Sequence, residues 1–187
     1  MASHLRRTIP SVLVMGVCGT GKTTIAKGVA QALGGQFLDA DDYHLSANVA
    51  RMASGLPLDD AMRWDWLDRL SNEVLRVGML TRHPVVFACS ALKRAYRDRL
   101  RRNLGAMHIV HLTGDRSLIA QRMAQRSDHF MPVSLLDSQV ADLEAPNPSE
   151  KALVCDIAQS PDQIVTAICH QFGEQLAIEH DTKGAPV

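Results

Sequence analysis

The sequence predicts a doubly wound α/β fold, a five-stranded parallel sheet flanked by helices. Two observations carry this reading. Strand-like apolar runs alternate with helix-like segments along the chain, five strands in all. The first of these strands also leads straight into Gly16-Val17-Cys18-Gly19-Thr20-Gly21-Lys22-Thr23, a loop of the form GxxxxGK[ST] that opens a helix. Sheets of this kind gather ligands at the carboxyl ends of their strands, and the chemistry-bearing residues of this chain fall there.

Ser11–Met15 is a short apolar run and reads as the first strand. Ile25, Ala26, Val29, Ala30 and Leu33 recur at helical spacing, and Gly34-Gly35 closes that helix. Gln36–Asp39 reads as a short second strand ending in acids. Trp66, Leu67, Leu70, Val74 and Val77 mark an amphipathic helix over Arg63–Val77. Pro84–Cys89 is continuously apolar, as in a strand covered on both faces. Leu92–Asn103 reads as a helix, Met107–Leu112 as the fourth strand, Ser117–Gln125 as a helix and Leu153–Ile157 as the fifth strand. Ser160-Pro161-Asp162-Gln163 has a capping-box pattern, and Ile164, Val165, Ile168 and Phe172 line one face of the helix that follows.

At 187 residues the chain fits a single domain, 1–187, with a core over about 11–175 and a frayed polar tail from about 176 to 187. Its formal net charge of +0 argues against a nucleic-acid or membrane-surface protein, since both carry excess positive charge. No stretch approaches the roughly 20 apolar residues that span a bilayer. The four cysteines, Cys18, Cys89, Cys155 and Cys169, form no CxxC pair, so neither a zinc site nor a disulfide framework is expected. A reducing, cytoplasmic setting is expected.

The glycines of the loop let several backbone N–H groups converge on one phosphate, and the following helix adds its positive end. Lys22 is placed to reach the β- and γ-phosphates, and Thr23 offers a hydroxyl to Mg²⁺. Alone, the motif implies nucleotide binding and leaves GTPase, ATPase and kinase open. Asp39, Asp41 and Asp42 follow Phe37-Leu38, with His44 close behind. One carboxylate there could orient an attacking hydroxyl and take its proton, and another could hold Mg²⁺-bound water. Asp39 and Asp41 point to one side if the strand continues through both; an acidic turn that ends the strand is the alternative.

Two basic pairs stand out. Lys93 and Arg97 are four apart in a helix that starts at a strand's carboxyl end, where they could clamp an anion. Arg99–Arg102 read as a solvated face. Arg122 and Arg126, also four apart, precede Ser127-Asp128-His129-Phe130-Met131-Pro132. Arginines on a mobile lid stabilise a transferring phosphate and help exclude water, so a lid is expected over about 122–145.

Taken together, VMGVCGTGKTT, FLDADDYH, NVARMASGLPLDD, CSALKRAYRDRLR, HLTGD and HFMPVSLLDSQVADLEAP resemble the gluconate kinase family of P-loop kinases, in family order over about Ser11 to Phe172. The resemblance implies an adenylate- or shikimate-kinase-like P-loop NTPase fold, transfer of the ATP γ-phosphoryl group to the 6-hydroxyl of D-gluconate, and often a homodimer. Carried onto this sequence, it makes Gly16, Val17, Cys18, Gly19, Thr20, Gly21, Lys22, Thr23 and Thr24 the ATP-binding residues. Thr23 and, through water, Asp39 serve Mg²⁺. Lys22, Asp41, Arg122 and Arg126 become the catalytic set, Asp41 being the favoured base. Asp41, His44, Arg51, Ser90, Lys93, Arg97 and His129 become substrate-binding candidates. The chain departs from the family pattern at Leu45, Met62, Asp65, Asp128 and Val140, which bears on specificity and turnover more than on fold. Another sugar acid or polyol as acceptor, or an ATP-binding regulatory protein with weak catalysis, are the competing readings.

Overall fold

A computed structural model describes residues 10–54, 56, 58–125 and 133–176. The expected sites Arg126 and His129, the departure at Asp128 and the expected tail lie outside the described residues.

The strands are β1 (Ser11–Met15), β2 (Gln36–Asp39), β3 (Val85–Ala88), β4 (Met107–Thr113) and β5 (Leu153–Asp156). All neighbours pair in parallel, in the order β2-β3-β1-β4-β5. The helices are α1 (Lys22–Ala32), α2 (Ser46–Ala53), α3 (Asp60–Thr81), α4 (Arg94–Leu104), α5 (Arg116–Ala124), α6 (Val133–Asp142) and α7 (Pro161–Leu176). The order reverses about β1, so the loop that leaves β1 opens at the switch point where such sheets take ligands.

β1 shows why the sheet needs two covered faces. Val12 and Val14 enter one core, with Ile25 and Val29 of α1 and Ile164 and Ile168 of α7. Leu13 and Met15 enter the other, with Leu67, Leu70 and Val74 of α3 and Leu100 of α4. Side chains alternate along a strand, so an unbroken apolar run is stable only with helices on both sides. No disulfide joins the described cysteines, and burial pushes the Cys89 thiol up to about 12, as fits a small core hydrophobe. No helix among the described residues is long and apolar enough to cross a membrane.

The expected strands are all present, and helix ends supply most of the differences. The Ser160 capping box forms: Gln163 Oε1 accepts the Ser160 N–H and Ser160 Oγ accepts the Gln163 N–H. Helix α3 extends beyond Arg63–Val77 at both ends. Asp59 caps it by accepting the Met62 N–H at 2.8 Å, and the chain leaves through Arg82 in a left-handed conformation. Its last turn exposes Met79 and Leu80, so periodicity of buried positions stops before the helix does. Helices α2 and α6 had no matching expectation.

Candidate active site

The site gathers at the carboxyl ends of β1, β2 and β3. Gly16 leaves β1 with φ 147°, and a Cβ there would stand 2.6 Å from the Leu112 carbonyl oxygen, so only glycine lets the loop turn this close to β4. Gly21, at φ 86°, starts α1 from the left-handed region. Between them the Val17 carbonyl accepts hydrogen bonds from Thr20 Oγ1 at 2.8 Å and Lys22 Nζ at 3.0 Å. Lys22 is therefore folded across its own loop. Burial pulls its ammonium below the ordinary lysine range, and the Asp41 charge partly offsets this.

Thr23, in the first turn of α1, donates from Oγ1 to Asp39 Oδ2 at 2.9 Å. Asp39 Oδ1 accepts the Asp41 N–H at 3.2 Å. That second bond decides between the two readings left open for these acids, in favour of the turn. β2 stops at Asp39, whose side chain takes the Asp41 amide, and residues 40–43 coil into a 3₁₀ turn. The two carboxylates still converge, Asp39 toward α1 and Asp41 into the cleft. The Asp41 side chain is 84% exposed. Partial desolvation by the cleft walls and then the like charge of Asp39 nevertheless raise its pKa above the ordinary carboxylate range.

His44 stacks on Trp66 with ring centroids 4.3 Å apart and 14° between planes. Trp66 Nε1 donates to the Ala40 carbonyl at 2.6 Å, so one indole fixes both the turn and the imidazole. His44 Nε2 lies 3.9 Å from Asp41 Oδ1, and burial lowers its pKa against the opposing pull of Asp41, so the ring is neutral at pH 7.

Lys93 and Arg97 separate. Lys93 is the N-cap of α4 and stands outside the helix, with Nζ 3.1 Å from Asp60 Oδ1. The shared helix face expected for the pair does not form. Arg97 is fully buried: Nε and Nη2 reach the two Glu150 oxygens at 2.7 and 2.9 Å, and Nη1 reaches the Ala91 and Leu92 carbonyls at 3.1 and 2.9 Å. This corrects its assignment as a substrate contact. Its donors are spent inside the protein, where they hold Ala91 at φ 43° just beyond Ser90. Ser90 is half-buried at the end of β3, and Arg51 sits in the last turn of α2. Arg122 donates from Nη2 to the Ile157 carbonyl at 2.9 Å, tying α5 to the end of β5.

Several residues with no assigned role complete the cleft. Tyr96 Oη donates to Asp60 Oδ1 at 2.5 Å and accepts from Arg63 Nη1 at 2.8 Å. Hydrogen bonds from Tyr96 and Lys93 hold the Asp60 carboxyl below its usual range. Asp41, His44, Arg63, Tyr96, Asp60 and Lys93 thus form a continuous strip of polar side chains leading away from the phosphate loop. Asp60 and Tyr96 lie inside PLDD and KRAYRD, but their pairing joins positions 36 residues apart, which no local spacing reveals. Glu144 Oε2 accepts the Arg94 N–H at 2.6 Å and so caps α4 from 50 residues away. Among the described residues no cluster of three His, Cys, Asp or Glu side chains could cage a metal ion.

Residues 12–146 match a family model described as an AAA domain. A gluconokinase from Gluconobacter oxydans (strain 621H) is 42% identical over 86% of this chain and 90% of its own length. Among solved structures, an unliganded sugar kinase from Janibacter sp. HTCC2649 superposes with a TM-score of 0.81 at 43% identity, covering 90% of this chain and 95% of that one. A gluconokinase from Sinorhizobium meliloti 1021 gives 0.78 at 39% identity, covering 91% and 95%.

Proposed function

This chain belongs to the gluconokinase family of P-loop kinases, and from that premise we propose that it transfers the γ-phosphoryl group of ATP to the 6-hydroxyl of D-gluconate, releasing 6-phospho-D-gluconate and ADP. The observation that carries this reading is the continuity of the site. A phosphate loop with its lysine in place adjoins an open carboxylate, and a strip of polar side chains that includes Arg63 and Lys93 leads away from that carboxylate.

In this reading Asp41 orients the acceptor hydroxyl and takes its proton as the oxygen bonds to the γ-phosphorus. The bond from phosphorus to the β–γ bridging oxygen breaks, and Lys22 and the loop N–H groups take up the charge that passes to ADP. Lys93 and Arg63 supply positive charge for the acceptor's carboxylate, and Tyr96 fixes the positions of both cations. Arg122 is a further catalytic candidate, as is Arg126 outside the described residues, and His129, also outside them, is a substrate-binding candidate. Mg²⁺ fits here: the Thr23 hydroxyl and the Asp39 carboxylate are adjacent, and this hard cation is commonly held by one or two such oxygens plus phosphates. It would neutralise charge on the β- and γ-phosphates. A cytoplasmic location, where ATP is supplied, and a homodimer complete the reading.

The test is ADP release from ATP with D-gluconate, against a no-acceptor control and a panel of other sugar acids and polyols. Gluconate-dependent release is expected, and release only with another acceptor would overturn the substrate. Asp41→Asn should keep ATP affinity and lose ~10²–10⁴-fold in kcat. An unchanged kcat would remove Asp41 as the base.

A further inference from the structure

One peptide unit in the phosphate loop is gripped from both sides. The carbonyl of the Val17–Cys18 peptide accepts from Lys22 Nζ at 3.0 Å and from Thr20 Oγ1 at 2.8 Å. Its N–H, the Cys18 amide, donates to Gln139 Oε1 at 2.7 Å. Gln139 comes from α6, 121 residues later in the chain, and is half-buried. The orientation of its carboxamide is fixed by chemistry, because a backbone N–H accepts nothing and so must face the oxygen.

A trans peptide is planar, with N–H and C=O pointing in opposite directions, so its two ends cannot rotate independently. Turning the plane to suit Gln139 sets where the carbonyl points, and the carbonyl holds the lysine. The bonds also polarise one another: a carbonyl that accepts from an ammonium makes its own N–H a better donor. Glycines at 16 and 19 flank this unit, so the loop itself does little to fix the plane.

We propose that Gln139 is a positioning residue for phosphoryl transfer, acting through the Val17–Cys18 peptide to set the position of Lys22. Helix α6 is thereby tied to the lysine through a single amide plane. This rests on the ATP-dependent reading above, but its nucleotide-affinity arm needs no acceptor and so stands or falls separately from the choice of gluconate.

The experiment is a series at position 139. Gln139→Met keeps length and volume but removes the acceptor oxygen. It is expected to lower kcat about tenfold and to leave the gluconate KM within about twofold and the thermal midpoint unchanged. Gln139→Glu keeps an acceptor and adds charge. It should bring kcat at saturating ATP to within about threefold of wild type while raising the KM for ATP. The decisive arm is ATP affinity in a double-mutant cycle. Gln139→Met should weaken ATP binding about fivefold in the native background and add no loss in Lys22→Met. Equal losses in both backgrounds would mean that Gln139 does not act through the lysine. Equal impairment of the Met and Glu variants, or a Met variant with native kcat, would also overturn the proposal.

Discussion

Lys93 and Arg97 stand one helical turn apart in the same basic run, yet they occupy opposite worlds. Lys93 sits at the mouth of the cleft, its side chain 30% exposed and its carboxylate partner Asp60 54% exposed. Arg97 and Glu150 are 0% and 1% exposed and joined by two hydrogen bonds. The helix boundary makes the difference. Lys93 is the N-cap, with extended backbone that aims its side chain toward α3, whereas Arg97 is a full turn inside and faces the sheet. The planar fork of arginine suits a closed site in which every donor has a partner, and the point charge of lysine suits an open one that must exchange partners. One cation shapes the cleft from behind, and the other stays at its surface, paired with Asp60.

Breaking the two pairs separately should sharpen this contrast. The largest effect is expected from Arg97→Met, which strands Glu150 in the core. It should lower unfolding stability by ~3–5 kcal/mol in denaturant titration. A loss below about 1 kcal/mol would show that Glu150 finds water or another donor. Lys93→Met should be the mirror image, with stability close to native and the KM for an anionic acceptor raised about tenfold. An unchanged KM would remove Lys93 from the acceptor site.

Acid should separate the pairs next. Hydrogen bonds from Arg97 hold the Glu150 carboxyl below its ordinary range, so its contribution is fully present above the unfolded-state pKa and fades as pH falls through the folded one. The stability gap between wild type and Glu150→Gln should therefore narrow once the pH drops below about 4.3. A gap that stays constant to lower pH would mean the pair contributes through shape alone. The smallest effect is expected from Asp60→Asn, which removes the charge competing for Lys93. The KM for an anionic acceptor should fall about two- to threefold with the thermal midpoint nearly unchanged. A rise would instead make Asp60 a partner for the acceptor's hydroxyls.

What the sequence made legible follows from the range of each interaction. The phosphate loop is legible as a motif because its glycines, lysine and hydroxyl lie within eight consecutive positions, between the end of β1 and the first turn of α1. β1 and β3 are the most legible strands, because burial on both faces leaves unbroken apolar runs. The end of β2 at Asp39 was legible, but the choice between strand and turn at Asp41 was not, because it depends on the Asp39 side chain taking the Asp41 amide. The role of Arg97 was hidden because its partner Glu150 lies 53 residues away, and a basic residue in a helix looks the same whether it faces water or a carboxylate. Gln139 and Glu144 share this problem: both act on backbone N–H groups, which carry no sequence signature.

The order of strands in space has a consequence for how the chain is assembled. β1 is synthesised first but lies at the centre of the sheet, and its two partners begin at Val85 and Met107. Until both have emerged from the ribosome, the apolar segment Ser11–Met15 has neither neighbour, and the phosphate loop that hangs from it has no support. Parallel pairing over such distances makes folding slow and leaves an unpaired strand exposed to other chains. The strand that carries the phosphate loop is thus made before either of the strands that support it.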